Sequence, residues 1–254
     1  MTEPILKVEG LVKTFGGVTA TDHVDFDVMP GEIHAVIGPN GAGKTTFVAQ
    51  IAGMLRQDSG SILFNGRDIG RLTAPQRSHA GLARSFQITS VFKDFTAQEN
   101  VALSLQAHAG HSFKFWKRAS TDPQLVEPAR KMLADVGLEE RALVLAGNLA
   151  HGEQRQLEIA MALATGPKML LLDEPTAGMG TEESETMRAF MKELKGRYSM
   201  LLIEHDMDTV FSLADRVTVL VYGRAIATGT PEEIRNNAEV RAAYLGEDEV
   251  TNSA

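Results

Sequence analysis

Ile33-His34-Ala35-Val36-Ile37-Gly38-Pro39-Asn40-Gly41-Ala42-Gly43-Lys44-Thr45-Thr46 is a mostly apolar run of strand length, a glycine-rich loop and the opening of a helix, in that order. Residues 38–45 complete the pattern G-x-x-x-x-G-K-[ST]. Glycines let such a loop wrap so that its N–H groups point inward at phosphate oxygens, and the following helix offers its positive end to the same anion. The candidate phosphate ligands are Asn40, Gly41, Ala42, Gly43, Lys44, Thr45 and Thr46. Lys44 can reach the β- and γ-phosphates, the Thr45 hydroxyl can ligate Mg²⁺, and Thr46 offers a donor near the α-phosphate. The helix is expected from Gly43 to Ala52, stopped by Gly53.

A second element answers the first. Met169-Leu170-Leu171-Leu172-Asp173-Glu174 is an apolar strand ending in two carboxylates. A buried strand should present such an end to a site at the carboxyl edge of a parallel sheet. There Asp173 can hold Mg²⁺ through a water, and Glu174 is placed to act as base or orienter for a water attacking phosphorus.

Outward from these two anchors the chain alternates strands and helices. Strands are expected at 5–9, 24–28, 61–64, 200–203 and 217–221, and helices at 181–194 and 207–214. Thr230-Pro231-Glu232-Glu233 is a capping box opening a short helix. Between the halves, roughly 88–165 reads as helical. Thr96 and Glu99 make a capping box, Asp122-Pro123 opens a second helix, and a third begins near Gly152. Short apolar strands separated by helices argue for a largely parallel sheet covered on both faces.

Bulk properties agree. The 254 residues are 43% hydrophobic and 23% charged, which is an ordinary globular composition. No cysteine is present, which excludes disulfides and thiolate metal sites. A formal net charge of −8 argues against a general nucleic-acid partner. No apolar stretch reaches spanning length and the first ten residues lack a leader pattern, so the chain is expected in the cytoplasm.

Taken together, these residues resemble the ATPases of ATP-binding cassette (ABC) transporters over nearly the whole chain. The resemblance implies an α/β P-loop NTPase fold with a mostly parallel RecA-like sheet, a small antiparallel β subdomain and an inserted helical subdomain. It implies a single domain, with 1–87 and 166–254 as nucleotide-binding core and 88–165 as the helical insert. It also implies ATP and Mg²⁺ as cofactors. Gln87, in Arg84-Ser85-Phe86-Gln87, matches the glutamine that senses Mg²⁺ and the attacking water. His205, in Ile203-Glu204-His205-Asp206, matches the switch histidine on the γ-phosphate, and Phe15 the aromatic that stacks on adenine.

Leu149-Ala150-His151-Gly152-Glu153-Gln154 stands where the family signature usually reads Leu-Ser-Gly-Gly-Gln, so Ala150, Gly152 and Glu153 are implied to meet the γ-phosphate. Ala150 lacks the usual hydroxyl, Glu153 brings a carboxylate that could repel phosphate, and Gly180 replaces the usual aspartate after Thr176-Ala177-Gly178-Met179. These departures imply reduced hydrolysis or reduced coupling between the sites.

Residues 81–87, 157–160 and the ending, with 234–237 and 243–246, are most similar to the LivG-like branch of branched-chain amino-acid importers. Relatives in that branch handle urea, other amides or aromatic acids. The branch implies a second, LivF-like ATPase paired head-to-tail, two membrane permeases and, indirectly, a periplasmic binding protein. The chain would then lie on the inner face of the plasma membrane. A soluble ABC remodelling factor and a small-molecule P-loop kinase are the rival readings.

Overall fold

The two faces of β3 (Ile33–Ile37) explain why its sequence has no polar alternation. Ile33, Ala35 and Ile37 enter one apolar core, while Val36 enters another. The same splitting recurs in β7 (Met169–Asp173) and β8 (Ser199–Ile203). Leu170, Leu172, Met200 and Leu202 face the first core; Met169, Leu171, Leu201 and Ile203 face the second. Strands buried on both sides read as continuous apolar runs. The computed structural model describes residues 3–84, 91–108 and 122–243. Gln87, Phe113-Lys114-Phe115-Trp116-Lys117-Arg118 and the ending from Tyr244 lie outside the described residues.

These strands belong to a six-stranded sheet ordered β10-β9-β3-β8-β7-β6, with β6 at Leu82–Arg84, β9 at Arg216–Val221 and β10 at Arg224–Gly229. Every pairing in it is parallel except β9 with β10. A four-stranded antiparallel sheet, ordered β2-β1-β4-β5, is built from β1 (Leu6–Phe15), β2 (Val18–Val28), β4 (Ser59–Phe64) and β5 (Arg67–Asp68). Helix α1 (Lys44–Ile51) packs its Phe47, Val48 and Ile51 into the core shared with that second sheet.

Polar links tie the sheets together. Arg216 on β9 reaches Asp27 on β2 at 2.6 Å and Glu32 at 2.5 Å. Buried His34 on β3 spans the backbone oxygen of Asp27, 2.6 Å from Nδ1, and the Thr218 hydroxyl, 2.8 Å from Nε2. Beneath α1, buried Arg77 of α2 (Ala74–His79) donates to the carbonyls of Gln50 and Ile51, both at 2.6 Å. It thus caps the helix end whose last carbonyls have no intrahelical partner. Burial pulls the Arg77 guanidinium down to about 10, so it stays charged at neutral pH.

Between β6 and β7 run α3 (Ala97–His108), α4 (Pro123–Asp135) and α5 (His151–Leu163). They bury Val101, Leu133, Leu157 and Leu163 in the core that continues from the parallel sheet. After β7 come α6 (Thr181–Leu194), α7 (Met207–Leu213) and α8 (Pro231–Asn236), the last opened by the expected Thr230–Glu233 capping box. No helix among the described residues is long and apolar enough to cross a membrane.

The structure lengthens or adds several elements relative to the sequence expectations. Strand β1 continues to Phe15 and β2 starts at Val18, forming a hairpin whose tip is solvated on all sides. With no core beneath it, that tip carries no apolar period to read. Strand β6 is three residues long, and β10 is an edge strand with no fully buried residue. Helix α2 is a single Pro-containing turn and a half, closed by Thr73 with Gln76.

Candidate functional site

The loop leaving β3 is shaped by two glycines. At Gly38 (φ 153°) a Cβ would sit 2.1 Å from the Leu220 carbonyl oxygen, and at Gly43 (φ 99°) 2.1 Å from that of Ala20. Only a residue without a side chain fits where the loop is pressed between β9 and β2. Gly43 is also the N-cap of α1, whose first turn holds no acidic side chain, so the positive end of the helix is uncompensated. Asn40, Gly41 and Thr45 are exposed there, Gly43, Lys44 and Thr46 are half-buried, and Ala42 is buried. The Lys44 ammonium curls back to donate to the carbonyls of Gly38 and, at 2.9 Å, Pro39. Those bonds fold the side chain back onto the loop itself. Phe15 projects from the end of β1 half-exposed, with the Lys13 ammonium 5.5 Å from its ring centroid.

Strands β7 and β8 deliver the acidic side of the site. Asp173 pairs with Ile203 in parallel register, so the residues just beyond these two strands leave the sheet together. Asp173 is buried and salt-bridged to Arg84 at 2.8 Å. Glu174 has φ 49°, a left-handed conformation unusual for a residue with a side chain. Strain of this kind concentrates at functional sites. It turns the Glu174 carboxylate toward His205, with Oε1 3.8 Å from Nδ1. His205 is largely exposed, as a group meeting a ligand must be.

One residue that sequence reasoning passed over organises this corner. Glu204 is fully buried, and its carboxylate accepts four donors: Thr176 N–H at 3.0 Å, Thr176 hydroxyl at 2.5 Å, His205 N–H at 3.1 Å and Asp206 N–H at 3.4 Å. It joins the loop after Glu174 to the loop carrying His205. Its only sequence signal was a charge ending an apolar run, Met200 to Glu204.

The signature-like segment begins α5, some distance along the chain from the loop. Ala150 is the N-cap, and Gly152 is buried against Glu183 of α6. Glu153 does not stand free. Its Oε2 accepts the Ala150 N–H at 3.0 Å and its Oε1 pairs with Arg141 at 2.8 Å. His151 donates from Nε2 to the Ala177 carbonyl at 3.3 Å, linking this segment to the loop after Glu174. Gly180 is the N-cap of α6, and its N–H donates to Glu183 at 3.3 Å.

Where the inserted helices meet the sheet, a cavity of about 460 Å³ opens. Met54, Pro75, Leu82, Arg84, Glu158 and Met161 are among its walls, and most of that lining is apolar.

A glycine loop at the carboxyl end of a central parallel strand, with a buried aspartate and a left-handed glutamate at the same edge of the sheet, defines a P-loop nucleoside-triphosphate hydrolase. A family model described as ABC transporter matches residues 21–177, and another described as branched-chain amino acid ATP-binding cassette transporter matches residues 226–250. The high-affinity branched-chain amino acid transport ATP-binding protein LivG of Escherichia coli K12 is 39% identical over 97% of this chain and all of its own. BraF of Pseudomonas aeruginosa, described in the same words, gives the same figures. Among solved structures, the ADP conformation of MJ1267, an ATP-binding cassette of an ABC transporter, superposes with a TM-score of 0.86. It is 32% identical, covering 96% of this chain and all of that one. The chain belongs to the ABC transporter ATP-binding family, and it is an ATPase.

Proposed function

We propose that this ATPase powers an importer of branched-chain or related amino acids from the inner face of the plasma membrane. The observation that carries the chemical part is convergence. The loop after β3, Asp173 and Glu174 after β7 and His205 after β8 all leave the same edge of one parallel sheet. The amino-acid assignment rests on the LivG and BraF relatives and on the matched carboxyl-terminal segment.

In this reading the loop amides, Lys44 and Thr46 hold the phosphates, and Phe15 stacks on adenine. Thr45 directly and Asp173 through a water would hold Mg²⁺, as hard oxygen donors of the kind that ion takes. The bound ion would neutralise charge on the phosphates. Glu174 takes the proton of the attacking water, and His205 contacts the γ-phosphate. Gln87 senses the metal and the attacking water.

A second, LivF-like ATPase pairs head-to-tail, so that its phosphate-bound ATP meets Ala150, Gly152 and the start of α5. Glu153 is no barrier to that approach, because Arg141 offsets its charge. The unit 88–165 acts as a lever, and a helix of one of the two permeases seats in the cavity between it and the sheet. A periplasmic binding protein delivers solute to the permeases.

The test has two arms. Purified protein should hydrolyse ATP only with Mg²⁺, and Lys44→Ala should lose tight ATP binding; unchanged affinity would contradict the cradle. Cells carrying the complete transporter should take up labelled leucine, isoleucine or valine dependent on this subunit. Uptake of urea, an amide or an aromatic acid instead would move the substrate within the branch. Failure to co-purify with any permease would remove the transport reading.

A further inference from the structure

Asp173 is a carboxylate with only 4% of its side chain exposed, at the end of a central strand. A charge so removed from water needs a partner of opposite sign. Its partner here is Arg84, itself 14% exposed, which places Nη2 2.8 Å from Oδ2. Arg84 is the last residue of β6, the neighbour of β7, and its register partner is Leu171. The ion pair is therefore fixed by strand pairing and not by two mobile loops. Arg84 Nη1 lies against the Met54 sulfur, and the residue lines the cavity that separates the inserted helices from the sheet.

We propose that Arg84 is the resident counter-cation of Asp173: it neutralises the carboxylate when no metal is bound and sets how much Mg²⁺ the site requires. This rests on Asp173 being the magnesium carboxylate, as read above. A divalent ion beside Asp173 must share that carboxylate with a guanidinium already present, and the like charges repel at short range. Arg84 is thus a positioning residue acting through Asp173. It also forms part of the cavity wall, so an occupant of the cavity touches the group that sets the charge of the metal site.

The experiment is a thermal melt of the full chain at saturating ADP, first with EDTA and then across a MgCl₂ titration. Wild type should gain stability with Mg²⁺. Arg84→Gln should melt roughly 6 °C or more lower without metal, because a buried charge has lost its partner. It should then gain more from Mg²⁺ and reach its half-way point at roughly tenfold lower concentration. Arg84→Lys, which keeps the charge, should keep the wild-type midpoint. The double variant Arg84→Gln with Asp173→Asn should recover metal-free stability and lose the Mg²⁺ response.

A midpoint for Arg84→Gln equal to or above wild type overturns the proposal. If Arg84→Gln alone does not fold but the double variant does, the neutralising role stands. If neither folds, Arg84 only supports the sheet edge and the proposal falls. If wild type itself does not respond to Mg²⁺ while binding ADP, it is the reading of Asp173 that fails.

Discussion

Glu174 Oε1 lies 3.8 Å from His205 Nδ1, at the ends of adjacent parallel strands, and the backbone of Glu174 is held in the left-handed region to bring this about. The separation leaves the pair close enough to share a water or a phosphate oxygen without locking them into a direct bond. Glu174→Gln keeps the shape and removes the base. It should bind ATP as wild type does and lose turnover by at least about a hundredfold. Single-turnover hydrolysis with radiolabelled ATP measures this, and wild-type turnover in the variant would remove Glu174 as the base.

The buried carboxylate of Glu204 predicts a different pattern. All four of its partners are donors, two on Thr176 and two on the backbone of His205 and Asp206. A glutamine there presents an amide NH₂ to at least one N–H, and two donors cannot pair. Glu204→Gln should therefore cost roughly 2–3 kcal/mol of stability. It should also lower kcat about tenfold or more while moving the KM for ATP less than about threefold, since phosphate binding is built elsewhere. Urea melts and steady-state kinetics on one preparation separate the two effects. A fall in stability with kcat intact would make Glu204 structural only.

Glu153 supplies a third prediction, because sequence and structure differ on what it does. Read alone, a carboxylate in the signature position threatens the partner's ATP. In the structure one of its oxygens caps α5 and the other meets Arg141. That pair is solvent-facing and worth little by itself. Glu153→Gln keeps an acceptor for the Ala150 N–H, so stability should change by less than about 0.5 kcal/mol. ATPase turnover should change by less than about threefold. Arg141→Ala, which strips the neutralising charge, should slow turnover more than Glu153→Gln does. A large gain on Glu153→Gln would show that the carboxylate does oppose the phosphate.

How much of this was legible beforehand follows from where each residue gets its constraint. The phosphate loop and the end of β7 were readable because local spacing alone specifies them. Helix α6 was readable end to end, since Thr181–Leu194 carries a helical apolar stripe and sits between loops. The hairpin tip from Thr14 to Thr19 was not readable, because its exposed residues hold their shape by pairing with each other and not by burying a face. Arg84 and Glu204 were invisible as site residues for a related reason. Each is a charge at the end of an apolar strand, and what it touches lies 89 residues away in one case and 28 in the other. His34 looked like an interruption in an apolar run, and only the packing of one sheet on the other gives it two partners.

Those two partners make His34 a determinant of acid stability. The Asp27 carbonyl can only accept, so Nδ1 carries the proton and Nε2 accepts from the Thr218 hydroxyl, whose oxygen is 2.8 Å from that of Thr228. The neutral ring satisfies both partners, and what opposes a charged ring is its removal from water. Burial is the main cause that pushes the His34 imidazole from its ordinary 6.5 down to about 4, and the nearby Arg216 guanidinium adds to it against the opposing pull of Glu32 and Asp27. Because the folded value lies below the unfolded one, the unfolded chain binds the extra proton first as pH falls. The contribution is complete above about pH 6.5 and is lost progressively toward pH 4, amounting there to about 3 kcal/mol. His34→Gln should weaken the protein at neutral pH and flatten the loss between pH 6.5 and 4. Urea-unfolding midpoints at half-unit pH steps, compared between the two proteins, decide it. Parallel curves would mean that other groups, and not this ring, carry the acid sensitivity.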